Sequence, residues 1–213
     1  MVCYEREVPR RAAVRVEPPR ARLDVEERRR QLVKLGTELF SQRTYDDVSI
    51  DELAQEAGIS KGLLYHYFPT KRHLYVETVR EAARQLLERT ATPDGMDPLE
   101  RLRAGLDAYI YYVARHGKPY HALLRSGVGA DAEVTKIVDR TRDAFCARLV
   151  EAAPDDARGP LVRVALRGWV GFVESATLEW LDQKKMKIDR AALRNVLMKV
   201  LVEAVSVASA EPV

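Results

Sequence analysis

The chain has 213 residues, 46% hydrophobic and 31% charged, with a formal net charge of +3. That supplies a core for one or two domains, but the slight charge excess leaves any nucleic-acid binding to a local patch rather than a global field. Ten prolines and eleven glycines exclude low complexity, and Cys3 and Cys146 form no disulfide framework and suit a reducing cytoplasm. No apolar run approaches the roughly 18 residues of a membrane span, so no membrane contact is expected.

Residues 1–23 carry Arg6, Arg10, Arg11, Arg15, Arg20 and Arg22 against Glu5, Glu7 and Glu17, with three prolines before residue 20 and no secretory apolar segment. They read as a flexible basic arm. It is either a solvated tail or a contact to DNA phosphates or a minor groove. A first helix is expected over about 25–42, capped by Asp24, with Glu26 and Glu27 at the positive end of its dipole. Leu32, Leu35, Gly36, Leu39 and Phe40 form its inward stripe.

Residues 48–68 carry the densest set of local signals. Ser49 and Glu52 have the spacing of a capping box, the Ser hydroxyl taking the Glu52 N–H and the Glu carboxylate reaching back to the Ser49 N–H. Val48 and Leu53 suit a hydrophobic staple. Ile50, Leu53, Ala54 and Ala57 share one helical face, and Gly58 is the residue type that ends a helix in the left-handed conformation. Ser60 caps a second helix. The three or four residues between the two helices give helix-turn-helix geometry.

The second helix has the chemistry of a groove reader. Lys61 and Gly62 lie in its first turn, where backbone N–H groups favour phosphate. Gly62 costs about 1 kcal/mol against Ala in a helix, which suggests a need for close approach. Leu64 and Phe68 face the core, so Leu63, Tyr65 and His66 face outward. Leu63 can touch a thymine methyl, and Tyr65 and His66 can reach phosphates or base edges. The bland alternative is a solvated helix with chance aromatics.

The run Ser-Lys-Gly-Leu-Leu-Tyr-His-Tyr-Phe-Pro-Thr-Lys, Ser60 to Lys71, resembles the recognition helix of the TetR family of transcriptional regulators. The resemblance extends back through Ala54, Tyr45 and Leu39-Phe40 to Arg29-Arg30-Gln31-Leu32, and covers about residues 26–75. It implies that Lys61, Tyr65 and Lys71 touch DNA. It also implies a C-terminal half that binds a small molecule and dimerises.

Beyond this unit, Pro69 is expected to open a fourth helix, with Lys71 in its first turn. Its apolar face runs through Leu74, Val76, Val79, Ala82, Ala83, Leu86 and Leu87 to about Thr90, and it can act as a lever. Residues 91–97 form a loop. Pro98 begins a helix through Leu99, Leu102, Leu106, Tyr109, Ile110 and Val113, ended by His116-Gly117. A short helix covers 119–125. Asp131 caps a helix to about Ala152, and 154–159 is a loop. From Pro160 to about Gln183 apolar residues nearly encircle the helix, which implies burial on more than one face, and Gly168 and Gly171 admit a close neighbour. A last helix follows the Asp189 cap.

The expected fold is all-α, with about nine helices and three parts. Residues 1–23 are the arm. Residues 24–70 are a three-helix helix-turn-helix DNA-binding domain, and 71–213 a larger helical ligand-binding and dimerisation domain. No catalytic residue, cofactor or metal site is expected. His66, His73, His116 and His121 lack zinc-like spacing, and no phosphate loop or nucleophile elbow occurs. The expected DNA-binding residues are Ser49, Ser60, Lys61, Gly62, Leu63, Tyr65, His66 and Lys71, with Leu63 as the specificity residue. Leu106, Tyr109, Ile110, Val113, Leu123, Leu124, Phe145, Trp169 and Phe172 are expected to line a cavity, although core packing is the blander reading of each. Glu174 is exposed, paired with Arg163 or Arg167, or a pocket group. Val170, Val173, Thr177, Leu197 and Leu201 are expected at a two-fold interface of four helices.

The function expected is that of a cytoplasmic, homodimeric repressor. It binds a palindromic double-stranded DNA operator and is released by a hydrophobic small molecule. Tyr120-His-Ala-Leu-Leu and Glu179-Trp-Leu-Asp182 are similar to stretches in relatives that sense fatty acyl thioesters; a multidrug or aromatic-compound sensor is the alternative. The rival class is an all-α enzyme or carrier whose N-terminal unit makes protein contacts.

Overall fold

The computed structural model describes residues 25–117, 131–153, 159–183 and 188–211. They form eight helices and no strand: α1 (Val25–Phe40), α2 (Ile50–Glu56), α3 (Lys61–Tyr67), α4 (Lys71–Arg89), α5 (Pro98–Arg115), α6 (Ala132–Ala152), α7 (Pro160–Asp182) and α8 (Arg190–Ala210). The basic arm, its neighbour Asp24, the expected short helix at 119–125 and most of the 154–159 loop lie outside the described residues.

The helices follow their local signals closely. Ser49 Oγ accepts from the Glu52 N–H at 3.1 Å, and Ser60 Oγ from the Leu63 N–H at 3.2 Å. Gly58 has φ of +62°, a conformation that only glycine adopts without strain. Asp97, Asp131 and Asp189 each cap the helix that follows. Two details differ from expectation. Only half of the capping box forms, because Arg43 draws the Glu52 carboxylate into an ion pair that ties the α1–α2 connection to α2. Pro69 does not open α4 either. Thr70 is the cap, its Oγ1 accepting from the His73 N–H at 3.0 Å, and Pro69 precedes it.

A first core joins α1, α2 and α3 to the start of α4. Leu53, Leu64, Phe68 and Leu74 are fully buried in it. Burying each such side chain contributes roughly 1.5–3 kcal/mol. Phe40, Tyr45 and Tyr75 pack as edge and stacked rings, with Tyr75 centroids 5.0 and 4.9 Å from the other two. Burial pushes the Tyr75 hydroxyl up to about 12. Gly36 lets α1 lie against α4: a Cβ there would meet Thr78 Cγ2 at 2.7 Å. The N-terminal end of α6 enters the same core through Val134 and Ile137. Arg72 of α4 holds α6 from outside, pairing with the cap residue Asp131 and, at 2.8 Å, with Glu133.

A second core joins the end of α4 to α5, α7 and α8 around Leu86, Ile110, Val113, Leu166, Trp169 and Leu197. Trp169 Nε1 donates to the Leu197 carbonyl at 2.9 Å, so the buried indole is satisfied and α7 and α8 are fixed together. Arg194 and Asp107, 2.9 Å apart, join α8 to α5. Both α4 and α6 supply buried side chains to the first core and also line the cavity of the second half.

Candidate nucleic-acid interface and effector cavity

The α2–turn–α3 unit presents one polar and aromatic face. Leu64 and Phe68 turn inward with no exposure, which fixes the rotation of α3. Leu63 and Tyr65 are then 41% and 40% exposed, and Lys61, Gly62 and His66 lie beside them in solvent. Exposed large side chains held on a rigid helix are ready to enter a groove. A Cβ at Gly62 would meet nothing nearer than Ser60 Oγ at 4.0 Å, so packing does not demand this glycine.

The remaining expected contact residues each have an intramolecular role. The Ser49 and Ser60 hydroxyls accept cap hydrogen bonds, and each keeps its own proton to donate outward. Lys61 Nζ hydrogen-bonds Asp51, at 2.9 and 3.0 Å from its two oxygens, which raises the pKa of the ammonium. Lys71 is less free than its position suggests. Its ammonium rests over the Tyr45 ring, 4.2 Å from the centroid, at the N-terminus of α4.

The second feature is a cavity of about 350 Å³ between α4, α5, α6 and α7. Of the expected lining, Leu106, Tyr109, Phe145 and Trp169 are there. Ile110 and Val113 are buried in the second core and do not line it. Phe172 is not a lining residue: it is 40% exposed on the opposite side of α7. Leu123 and Leu124 lie outside the described residues. The sequence reading missed the α4 wall of Val79, Ala82, Ala83 and Leu86 and the α6 wall of Ile137, Val138 and Thr141. The Ala82-Ala83 pair was the available signal, small residues on an inward face where a larger side chain would fill the space.

The expected interface set is also corrected. Val170 and Val173 line the cavity and are 6% exposed. Thr177, Leu197 and Leu201 are buried within the chain. The apolar stripe left open on α7 is Leu161, Val164 and Phe172, with Gly168 and Gly171 between them and no atom near their would-be Cβ positions. Val196 and Val200 continue an open face on α8. The apolar residues of α7 thus fall on two faces, one turned to the cavity and the core and one left open.

The charged groups at the cavity are three arginines and two glutamates. Glu174 takes Arg142 of α6, not Arg163 or Arg167, as its partner, with Nε 3.0 and 3.1 Å and Nη2 2.7 Å from its oxygens. Arg142 also holds Asp139 at 2.9 Å, and these hydrogen bonds keep its guanidinium charged. Arg101, Arg148 and Glu151 also border the cavity, with Thr90, Thr92 and Thr141. A smaller recess beside the cavity shares Val79, Ala82 and Tyr112 with it and reaches His116 at the end of α5. The Tyr112 and His116 rings lie 4.4 Å apart, and burial lowers the His116 pKa.

Among the described residues no group of three or more His, Cys, Asp or Glu is placed to hold a metal ion, and no helix is long and apolar enough to cross a membrane. Cys146 is partly buried, and desolvation pushes its thiol up, away from the reactive thiolate.

Residues 32–78 match the family described as bacterial regulatory proteins, tetR family, and residues 98–204 match the tetracyclin repressor-like C-terminal domain. The transcriptional activator FasR of Mycolicibacterium smegmatis is 30% identical over 168 residues, 77% of each chain. The transcriptional repressor KstR of Rhodococcus jostii is 26% identical over 182 residues, 82% of each chain. A crystal structure of a tetR-family regulator from Streptomyces coelicolor superposes with a TM-score of 0.77 at 33% identity, covering 88% of this chain and 84% of that one.

Proposed function

Because the chain belongs to the TetR family of bacterial transcriptional regulators, which bind DNA and are not enzymes, we propose that it is a homodimeric repressor. On this reading a hydrophobic small molecule in the cavity releases it from a palindromic operator. The observation that carries the reading is the double role of α4 and α6. Val79, Ala82 and Ala83 of α4 face the cavity, while Leu74 and Tyr75 one to two turns earlier belong to the core under the recognition helix. Thr141 and Phe145 of α6 face the same cavity, while Val134 stands in that same core. A ligand that spreads α4 from α6 is better accommodated in one head orientation than another, and so shifts the population away from the DNA-bound state.

DNA contact is assigned to the exposed face of α3 and the helix starts beside it. Leu63 reads bases; Tyr65, His66, Lys61 and Lys71 reach phosphates, and Ser49, Ser60 and Gly62 allow close approach. Substituting Lys61, Tyr65 and Lys71 together by Ala should weaken binding to all DNA sequences, with the salt slope falling by about one unit per lysine removed. A gel shift on the DNA upstream of the gene measures it, and unchanged affinity would remove the assignment.

Dimerisation is assigned to the open stripe of α7 and its continuation on α8, in place of the residues buried inside the chain. Two helical glycines in open space cost stability in the monomer, and close approach by a second copy accounts for them. Val164→Asp should yield a monomer by sedimentation while the helical content stays unchanged. A dimer that survives it would overturn this interface.

The ligand class supported best is an apolar chain such as a fatty acyl compound. The lining is aliphatic along α4 and α6, and burial of apolar area contributes about 25 cal/mol per Å². Tyr109, Tyr112, Phe145 and Trp169 in the same wall favour a second reading, an aromatic-compound sensor. Titrating preformed protein–DNA complex with an acyl series and with multi-ring compounds separates them. Release that strengthens with chain length supports the first, and release by polar metabolites alone overturns both. The relatives are named for opposite signs of regulation, so deletion of the gene with a promoter fusion tests repression directly, and loss of expression would reverse the sign.

A further inference from the structure

We propose that the effector is an amphiphile with a terminal anion, and that Arg101 and Arg148 hold its head at one end of the cavity. This rests on the reading of the cavity as the effector site and specifies its ligand chemistry.

The two guanidiniums are arranged alike. Arg148, near the C-terminal end of α6, donates from Nη1 to Thr90 Oγ1 at 3.2 Å. Arg101, in the first turns of α5, donates from Nε to Thr92 Oγ1 at 3.2 Å. Thr90 and Thr92 lie in the same short connection between α4 and α5, so the connection sets both arginines against one end of the cavity. The Thr90 hydroxyl is itself fixed, since it donates to the Leu86 carbonyl at 2.8 Å. The Arg148 guanidinium also lies 5.8 Å from the centre of the Phe145 ring.

Charge balance separates this pair from the third arginine of the lining. Arg142 is matched by Glu174 and Asp139. Among the described residues neither Arg101 nor Arg148 has a carboxylate within ion-pair distance; each spends a donor on a neutral hydroxyl instead. Glu151 also borders the cavity and is not itself free. A half-buried guanidinium has five donors in a planar fork suited to carboxylate or phosphate oxygens. Two such groups beside an aliphatic and aromatic channel fit a ligand whose tail is apolar and whose end is anionic. A neutral hydrocarbon would leave both arginines half-desolvated without compensation.

The shared chemistry is an acid oxygen on an apolar chain, and a carboxylate or the phosphates of a coenzyme A thioester could supply it. Dodecanoate, dodecanoyl coenzyme A and dodecanol should therefore be titrated calorimetrically against the full-length protein and against R101Q, R148Q and the double variant. The expected result is that the wild type binds at least one anionic compound about tenfold or more tighter than dodecanol. Each single variant should lose about tenfold for that anion, the size of one charge-assisted hydrogen bond, with dodecanol unchanged. Preference for dodecanoate assigns a carboxylate head, and preference for the thioester a phosphate one; both support the proposal. If dodecanol binds as tightly as the anions and the variants bind all three like wild type, the head site is overturned while the hydrophobic effector reading stands. If no chain compound binds, the head site and the acyl-chain reading both fall, and the aromatic-compound reading is left. Should the double variant fail to fold, R148K, which keeps the charge, and the salt dependence of wild-type anion binding give the same decision, and a salt-independent affinity overturns the proposal.

Discussion

The two halves of this molecule are packed to different ends. Under the recognition helix the core is filled: Leu53, Leu64, Phe68 and Leu74 are inaccessible, and three aromatic rings close the joint with α4. In the other half four helices surround about 350 Å³ of unfilled space and keep charged groups facing it. Unfilled space forfeits dispersion contacts, so a cavity of this size is a sacrifice of stability. On the proposed function the reading head holds its side chains in one geometry, while the other half accepts a guest. The contrast teaches that a core residue and a cavity residue of the same chemical type have different energetic value.

Substitutions give the strongest test of that contrast. Phe68→Ala should destabilise by about 3–5 kcal/mol, because the ring is enclosed on every side. Phe145→Ala, whose ring already faces empty space, should cost roughly half of that or less and should weaken effector binding instead. Urea unfolding of both variants checks the ordering, and equal losses would erase the distinction between the halves.

Glycines sharpen it within the head itself. Gly36→Ala pushes a methyl group to within 2.7 Å of Thr78 Cγ2 and should cost about 1–3 kcal/mol. Gly62→Ala meets open space and should stabilise α3 by up to about 1 kcal/mol, yet weaken operator binding where the backbone must approach DNA. Paired melting and gel-shift measurements on both variants decide this. A Gly62→Ala protein that binds DNA as well as wild type would make that glycine incidental.

The smallest effect concerns the strap between the halves. The Arg72 guanidinium holds the Asp131 carboxyl below its ordinary value of 3.8, aided by the helix-cap hydrogen bonds from Glu133 and Val134. A depressed carboxylate contributes stability that is complete above its unfolded pKa and is lost as pH falls through the folded one. Unfolding midpoints between about pH 6 and 2 should therefore fall less steeply in Asp131→Asn than in wild type, with the difference confined to below about pH 4. Superimposable curves would show that the strap carries no weight.

How far the sequence could be read follows the same division. Ser49, Gly58 and Ser60 act on their own neighbours in the chain, so the turn, both caps and the outward face of α3 were legible from one short stretch. The effector half depends on which face of each helix meets which partner. Val170 and Phe172 are both apolar and two residues apart, and periodicity alone does not say which of them lines the cavity and which lies on the outside. Glu174 needed Arg142, a residue 32 positions away, before its role could be seen. Val134 and Ile137 look like ordinary helix-face residues until the path of α6 brings them beneath the recognition helix.

That second entry into the head has a kinematic consequence. A body fastened along one helix can tilt about two axes and swivel about a third. Here α4 enters the head through Leu74, Tyr75 and Val76, and α6 grips it separately through Val134 and Ile137. On the proposed function, two separate attachments hinder the tilting that a single one would allow, and they resist least a swing about the line that joins them. On that reading, displacement of either helix by a guest moves the recognition helix in a direction set by where the two helices enter.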